Sequence, residues 1–421
     1  MNEVRQTFSK KLSFSEKVLL LFFFLVPFEY YYFDWATIYI FDYDFSMVSL
    51  VGYCALFFNI LSFPPAIRFQ RKYFWLLLLV TTLITIITIL SVNKNINSGV
   101  WQNLILFALA SYFTGARIKN DTVVNTVILG ITAAMLLRVY FYFIGYQVVE
   151  NQERITNIGS MDSGTSGVIS AYLIVFMIIM YQGRLKTPLF SRKMFLVVIS
   201  CANILNILLC NSRGSLVIMM VLMLFFSYDS TINFKKGGRL FSWLFIFALL
   251  ILVVDLSGVV DMGNLVEKMD KRWEEGDIEH KTTGRYSIFK ASLEAIYENP
   301  LGYGFGEGRW VVGYYREGYR NHPDYHNDFL RIGVEGGVLC LFLFFWFYYS
   351  MLKKAWEFYR KKGDILPISL IMMVLTASMF LTSTRSKLSW LILGIATGYL
   401  SREDPNNGNA VQRNNTNKKL I

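Results

Sequence analysis

The feature that most constrains the fold is a series of long apolar runs that recurs along nearly the whole chain of 421 residues. A run of roughly 20 apolar residues is long enough to cross a bilayer as a helix. The runs therefore predict an all-α, polytopic integral membrane protein with about 12 transmembrane helices. Residues 1–401 would form one membrane domain. The predicted spans lie near residues 17–33, 45–62, 74–91, 99–116, 121–145, 165–182, 194–211, 213–228, 240–260, 328–350, 365–384 and 387–401.

Composition agrees with this class, since 54% of the residues are hydrophobic and only 17% are charged. A soluble domain carries about a quarter charged residues. The first apolar run follows three lysines, as in a signal peptide, but leads into EYYYFDW instead of a small-residue cleavage site. We interpret it as a retained anchor helix. The four cysteines fall in or at the ends of apolar runs and are expected to behave as small buried hydrophobes.

The placement of Lys and Arg predicts the orientation of the chain, because short cytoplasmic loops retain these residues. Basic clusters precede the first predicted span and follow the second, fourth, sixth, eighth and tenth spans. The polar tail after the last span carries further basic residues. Both termini are therefore expected in the cytoplasm of a bacterial inner membrane. The tail at 402–421 is polar and predicted to be disordered.

One large external loop is predicted at residues 261–326, between the ninth and tenth spans. It contains the amphipathic stretch YSIFKASLEAIYE, whose apolar residues follow helical spacing, and then a glycine-rich turn. The loop carries more acidic than basic residues, so the net charge of +11 does not form a basic patch there. Nucleic acid is accordingly not expected as a partner.

All three histidines of the chain lie in this loop. His326 and Asn327 stand in PDYHNDFL, where the loop re-enters the membrane. A neutral imidazole there can accept a proton from a hydroxyl near pH 7, so His326 is the candidate general base. For His280 a structural role is favoured over a catalytic one. His322 can also be an interfacial polar residue.

Arginines are the candidate ligands for an anion, because a guanidinium binds phosphate in a fixed geometry. Arg213 lies beside Ser212 at a predicted turn between two apolar spans, and Arg285 opens the amphipathic stretch. Arg385 at the last external turn is a weaker candidate. The alternatives are a snorkelling side chain for Arg213 and a solvated helix face for Arg285. Intramembrane Arg138 and Glu335 are expected to be paired or to face a cavity.

The run NPLGYGFGEG has glycines at 302, 304, 306 and 308. It follows a helical pattern on the external side, so we interpret it as a flexible turn close to a ligand backbone and not as a nucleotide loop. No Cys/His cluster or pair of acidic residues has metal-ligand spacing, and no metal or cofactor is expected. Aromatic residues on the return path are typical of an interfacial belt and also of sugar stacking: Trp310, Tyr314, Tyr315, Tyr319 and Tyr325.

Three stretches in order resemble the O-antigen ligase and polymerase superfamily of bacterial surface-glycan enzymes: CNSRGSLV, RYSIFKASLEAIYENPLGYGFGEG and HNDFLRIGVEGGVLCLFLFF. The resemblance covers about residues 205–350. It implies a transfer of glycan from undecaprenyl diphosphate to a sugar hydroxyl on the external face of the inner membrane. In ligases the acceptor is lipid A–core, and in polymerases it is a growing glycan. The family pattern matches at Gly337, but Cys340 stands where Gly, Thr or Tyr is usual.

The resemblance also implies roles for single residues. Arg213 and Arg285 fall on the family's diphosphate-binding arginines, and His326 falls on its essential histidine. Paired arginines can stabilise the charge of a diphosphate leaving group without a metal, and a base that activates the acceptor predicts inversion. These three side chains are expected to converge around one external cavity. We expect Ser212, His322, Tyr325, Asn327 and Arg385 to contribute to substrate binding.

Other functions remain as alternatives at this point. The single dominant external loop favours a ligase over a polymerase. A twelve-helix transporter is disfavoured because PPAIRFQRK lacks the loop pattern of major facilitator carriers and few charges lie near the mid-plane. A scaffold or flippase partner in the same pathway is the third possibility.

Overall fold

The structure is a computed structural model that describes a little over half of the chain. The described residues are 12–28, 37–40, 43–61, 71–91, 98–112, 114, 120–143, 148–150, 154–156, 169–172, 203, 206–207, 214–215, 217–221, 285–316, 325–380 and 386–401. The predicted spans near 165–182, 194–211, 213–228 and 240–260, and the tail at 402–421, lie wholly or mostly outside these residues.

Helices dominate the described part of the chain. The helices are α1 (Phe14–Leu25), α2 (Met47–Leu61), α3 (Arg71–Leu90), α4 (Ser98–Tyr112), α5 (Asn120–Phe143), α6 (Arg285–Glu298), α7 (Glu307–Tyr315), α8 (Asp328–Lys362), α9 (Leu366–Phe380) and α10 (Lys387–Ser401). A short 3-10 turn, Val26–Phe28, extends α1. Eight of these helices coincide with predicted spans, and α6 coincides with the predicted amphipathic stretch.

Two short antiparallel hairpins depart from the all-α expectation. Strand β1 (Thr37–Ile40) pairs with β2 (Tyr43–Ser46), with Thr37 opposite Ser46. Strand β3 (Val148–Glu150) pairs with β4 (Arg154–Thr156). Both hairpins fall in predicted external connections. Alternating β-branched and aromatic residues such as TIYI favour strands over the continuous apolar helix pattern of the flanking spans.

Two of the helices are both long and apolar enough to cross a bilayer, at Lys72–Leu90 and Asp328–Lys362. Shorter apolar helical segments occur at Val100–Tyr112, Thr122–Leu137 and Leu366–Phe380. A membrane location is thus supported by length and composition, and the number of twelve spans stays a prediction.

The main core is built by helices from both ends of the chain. Helix α10 packs along α4, α8 packs against α3 and α9, and α1 packs against α2 and α5. At the α4–α10 crossing, a Cβ on Gly394 would meet the carbonyl oxygen of Phe107 at 2.7 Å. The absent side chain lets these two backbones approach closely, as small residues do between membrane helices. The first half of the chain therefore supports the helices that carry the candidate site.

Helix α8 is the longest of the described elements, with 35 residues, and it is interrupted at Gly337. Its φ of 73° and ψ of −176° divide the helix into a short segment, 328–336, and a long segment that follows. The long segment ends with Arg360, Lys361 and Lys362 in the last turn and Gly363 in the left-handed C-cap position. Basic residues complement the negative end of the helix dipole, and glycine adopts this cap conformation without a Cβ clash.

Candidate functional site

His326 has an unusual backbone conformation. Its φ is 48°, and it is the one residue other than glycine with positive φ among the described residues. Such a conformation costs of order 1 kcal/mol for a side chain with a Cβ, and it persists where the surroundings fix it. The imidazole is half-buried at the start of α8. A strained, partly exposed histidine thus directly precedes α8, at the end of the segment that the sequence predicts to be external.

Asn327 caps the N-terminus of α8. It is the N-cap of α8, and its side-chain oxygen accepts hydrogen bonds from the amides of Phe329 and Leu330 at 2.9 and 3.0 Å. Its side-chain amide donates to the carbonyl of Met379 at 3.2 Å. Asn327 therefore caps α8 and ties it to the C-terminal turn of α9. The substrate-binding role that the sequence predicts for Asn327 stays a prediction.

Tyr325 anchors the other side of His326. Its side chain is only 2% exposed and belongs to a second, smaller core cluster. The cluster consists of Ile288, Ala291, Ala295, Val312, Tyr325 and Val334. Gly308 leaves the space into which the Tyr325 hydroxyl fits. This burial favours an anchoring role for Tyr325 over direct contact with a sugar.

The break in α8 is matched by the glycine-rich turn between α6 and α7. In a regular helix the amide of Val338 would bond to the carbonyl of Val334. Here the Val338 amide donates to the carbonyl of Pro300 at 2.9 Å, and the Val334 carbonyl accepts from Tyr303 at 2.9 Å. The Glu335 carbonyl accepts from Gly304 at 2.8 Å. The turn thus satisfies the backbone groups that the kink releases.

The glycines allow this close approach. Gly302 and Gly304 have φ of 91° and 86°. A Cβ on Gly302 would lie 2.7 Å from the Glu335 carbonyl oxygen, and one on Gly304 would lie 2.8 Å from Thr88 Cα. The neighbouring Phe305 amide donates to the Thr88 hydroxyl at 2.8 Å. The backbones that these two glycines approach belong to α8 and α3, and the expected closeness of the turn to a ligand stays a prediction.

Glu335 has a partner, as expected for an acidic residue at this depth. Arg331 Nε donates to Glu335 Oε2 at 3.0 Å, and the two side chains are 2% and 1% exposed. The other carboxylate oxygen accepts from the Gly306 amide at 3.5 Å. The sequence analysis did not single out Arg331. The i, i+4 spacing of Arg331 and Glu335 was the signal for this pair. The side chain of Arg138 lies outside the described residues.

The remaining predicted site residues are only partly described. Arg285 opens α6, and its side chain is exposed. Helix α6 packs against α7 and the first segment of α8, so Arg285 and His326 lie on elements of one packed unit. Residues Ser212, Arg213, His280, His322 and Arg385 lie outside the described residues. The predicted convergence of Arg213 with the other two side chains thus stays a prediction.

The solvent-accessible surface of this unit carries exposed aromatic side chains. Trp310 and Tyr314 of α7 are 62% and 84% exposed. Tyr315 donates a hydrogen bond to the Glu298 carboxylate of α6, and this hydrogen bond raises the pKa of the Tyr315 phenol. Within the described residues, His, Cys, Asp and Glu side chains do not gather in threes as they would around a metal ion.

Comparison with known families covers this unit. The family model described as O-antigen ligase matches residues 195–345, a little over a third of the chain. No curated protein matches the chain. The matched region includes α6, the glycine turn, α7, His326 and the kink in α8. It supports an O-antigen ligase or polymerase type of glycosyltransferase function, with lipid-linked glycans as the general substrate class and a membrane location. The resemblance to the O-antigen ligase/polymerase superfamily is thereby confirmed, and residues 195–345 are the part of this chain that carries it.

Proposed function

We propose that the protein is a membrane glycosyltransferase that transfers a glycan from undecaprenyl diphosphate to a sugar hydroxyl. The acceptor is the hydroxyl of lipid A–core, which makes the protein an O-antigen ligase. The reaction takes place on the periplasmic face of the inner membrane and needs no metal. Twelve spans with both termini in the cytoplasm place the segment 261–326 on that face.

One observation carries this proposal. His326 stands in a strained backbone conformation, between a buried tyrosine and a helix-capping asparagine, inside the region that matches the O-antigen ligase family. These two neighbours hold the backbone of His326 in place at the start of α8. Positioning a base before the reaction is worth several orders of magnitude in rate. Backbone strain of this kind is found repeatedly at active sites and ligand clamps.

The proposed chemistry is an in-line displacement at the anomeric carbon. His326 removes the proton of the acceptor hydroxyl while the hydroxyl oxygen forms the new glycosidic bond. The bond between the anomeric carbon and the diphosphate oxygen breaks, and the undecaprenyl diphosphate leaves with the bonding electrons. Arg213 and Arg285 stabilise the charge that develops on it. Attack from the opposite face inverts the anomeric configuration.

A reconstituted assay tests the proposal. Purified wild type and His326→Ala are incubated with an undecaprenyl-diphosphate glycan and lipid A–core, and the products are separated by gel and mass spectrometry. We expect a lipid A–core product of inverted configuration from the wild type alone, in the presence of a metal chelator. Transfer by His326→Ala at the wild-type rate would contradict the proposed base, and no transfer by wild type to lipid A–core would contradict the ligase.

A polymerase of the same superfamily is the second candidate. Cys340 is 1% exposed and lies one turn beyond Gly336. The family pattern has Gly, Thr or Tyr at position 340, and this departure weakens the identification as a ligase. The acceptor distinguishes the two functions in a deletion strain. Complete loss of O-antigen from lipid A–core supports the ligase, whereas a single remaining repeat unit supports the polymerase.

A further inference from the structure

The first segment of α8 carries a row of charged residues on one face. Asp328, Arg331 and Glu335 are spaced by three and four residues, so their side chains follow one another along the helix. All three are buried, with relative exposures of 0%, 2% and 0%. Burying a charged residue in an apolar interior costs free energy unless the charge is paired, so this row requires interactions that offset the cost.

The charges of this row are offset by one ion pair within α8 and by electrostatic interactions with neighbouring charges. Arg331 forms the ion pair with Glu335 and also interacts electrostatically with Asp328. Arg309 of α7 interacts electrostatically with Glu335. One ion pair and two longer-range electrostatic interactions thus offset these charges, and Arg309 links α7 electrostatically to α8.

The charged residues of this row connect to the glycine turn and to the residues on either side of His326. Glu335 accepts the Gly306 amide through its side chain and the Gly304 amide through its backbone, so it joins the glycine turn to α8. Asp328 is two residues from His326 and directly follows the capping Asn327. Arg331 also lies near the phenol of Tyr325, which anchors the preceding side.

We propose that Arg331 and Glu335 are positioning residues for His326. Their ion pair fixes the short segment 328–336 against the glycine turn and thereby sets the position of the imidazole. The pair does not contact the substrate. This inference rests on the proposed function for its kinetic consequence, but the position of the imidazole is measurable without any transfer reaction.

The experiment compares Arg331→Gln, Glu335→Gln and the double variant with wild type, as full-length protein in nanodiscs. Tyr348→Phe is the matched control. Tyr348 lies in α8 beyond the kink, and the substitution removes the buried hydrogen bond between its hydroxyl and that of Ser378 in α9. Ring-labelled histidine gives three imidazole signals, since the chain has three histidines. The signal of His326 is the one that His326→Gln removes.

We expect Glu335→Gln to shift the His326 signal and to lower kcat at least tenfold per folded protein, with KM for the donor within twofold. Arg331→Gln should be worse than the double variant, because the single change leaves a buried carboxylate without its ion-pair partner. Tyr348→Phe should leave the signal and kcat unchanged. If Arg331→Gln does not fold, Glu335→Gln and the double variant decide the question.

An unshifted His326 signal in Glu335→Gln and the double variant would overturn the inference. So would losses of activity that follow only the amount of folded protein, which a merely structural pair would produce. Failure of the proposed function is distinct from this result, because it would appear as a wild type without transfer or an active His326→Ala. The imidazole signals would still report on positioning in that case.

Discussion

At the scale of single residues, the candidate site depends on the short sequence Tyr-His-Asn. Tyr325 is buried in the second core cluster, and Asn327 bonds to the first amides of α8 and to α9. The strained φ of His326 is the consequence of fixing both neighbours. The backbone of His326 is therefore held by residues that need not touch the substrate.

Replacing His326 with Ala is expected to lower transfer at least about 100-fold, the usual contribution of a general base. Expression and thermal stability should change little, since the half-buried ring is not part of either core cluster. The measurement is the rate of transfer per folded protein, alongside the melting temperature. A variant that loses activity only because it unfolds would contradict the predicted role.

The two functions of Asn327 can be separated by substitution. Asn327→Ala removes both the cap and the bond to Met379 and should cost about 1 kcal/mol or more. Asn327→Asp keeps an N-cap oxygen but loses the side-chain donor, so it should destabilise the protein less. Thermal unfolding of both variants in one detergent measures the difference. Equal losses of stability would mean that the cap contributes nothing.

At the scale of elements, the glycine turn and the kink of α8 form one unit. The amide of Val338 and the carbonyls of Val334 and Glu335 find their partners in the turn 300–304. Neither element satisfies its own backbone groups alone, and an unsatisfied buried amide or carbonyl costs of order 1–3 kcal/mol. The two elements are therefore expected to fold and unfold together.

Gly337→Ala tests this unit. Its φ of 73° and ψ of −176° are essentially confined to glycine, and a Cβ there would collide with the carbonyl of Pro300. We expect a loss of at least about 3 kcal/mol or no folded protein. Gly363→Ala is the control, because its φ is 64° but a Cβ would meet open space among the described residues. Gly363→Ala should lower the free energy of unfolding by only about 1 kcal/mol. Equal losses of stability in both variants would show that the positive φ, and not the collision with Pro300, determines the cost.

At the scale of the whole molecule, the orientation follows from the basic clusters. It predicts that Tyr297 in α6 is external and that Lys361 at the end of α8 is cytoplasmic. Single cysteines at these two exposed positions, in a chain whose four native cysteines have been replaced, report the side directly. We expect an impermeant maleimide to label position 297 in intact spheroplasts, and position 361 only after permeabilisation. Reversed labelling would contradict the predicted topology.

Much of the architecture could be predicted from local sequence. The last span was predicted at 387–401 and is observed as Lys387–Ser401, and the amphipathic stretch after Arg285 is observed as Arg285–Glu298. Continuous apolar runs and helical spacing are local signals that the chain contains at each point. The hairpin at Thr37–Ser46 was missed, because a short strand pair depends on contacts across a turn.

The candidate site was predicted unevenly. His326 and Asn327 were singled out from their sequence context, and the structure finds them at the start of α8. The capping by Asn327, the pairing of Arg331 with Glu335, and the protein backbone next to Gly302 and Gly304 were not predicted. Each of these depends on which side chains and backbones meet at close range.

The sequence by itself predicted a helical membrane protein, showed the resemblance to the O-antigen ligase family that residues 195–345 carry, and singled out His326 as the candidate base. Hydrophobic length and ordered motifs are properties of the chain, and they need no knowledge of its path in space. The tertiary structure decided how that base is held. The left-handed backbone of His326, the break at Gly337 and the buried charges between α7 and α8 exist only where separate segments satisfy one another's polar groups.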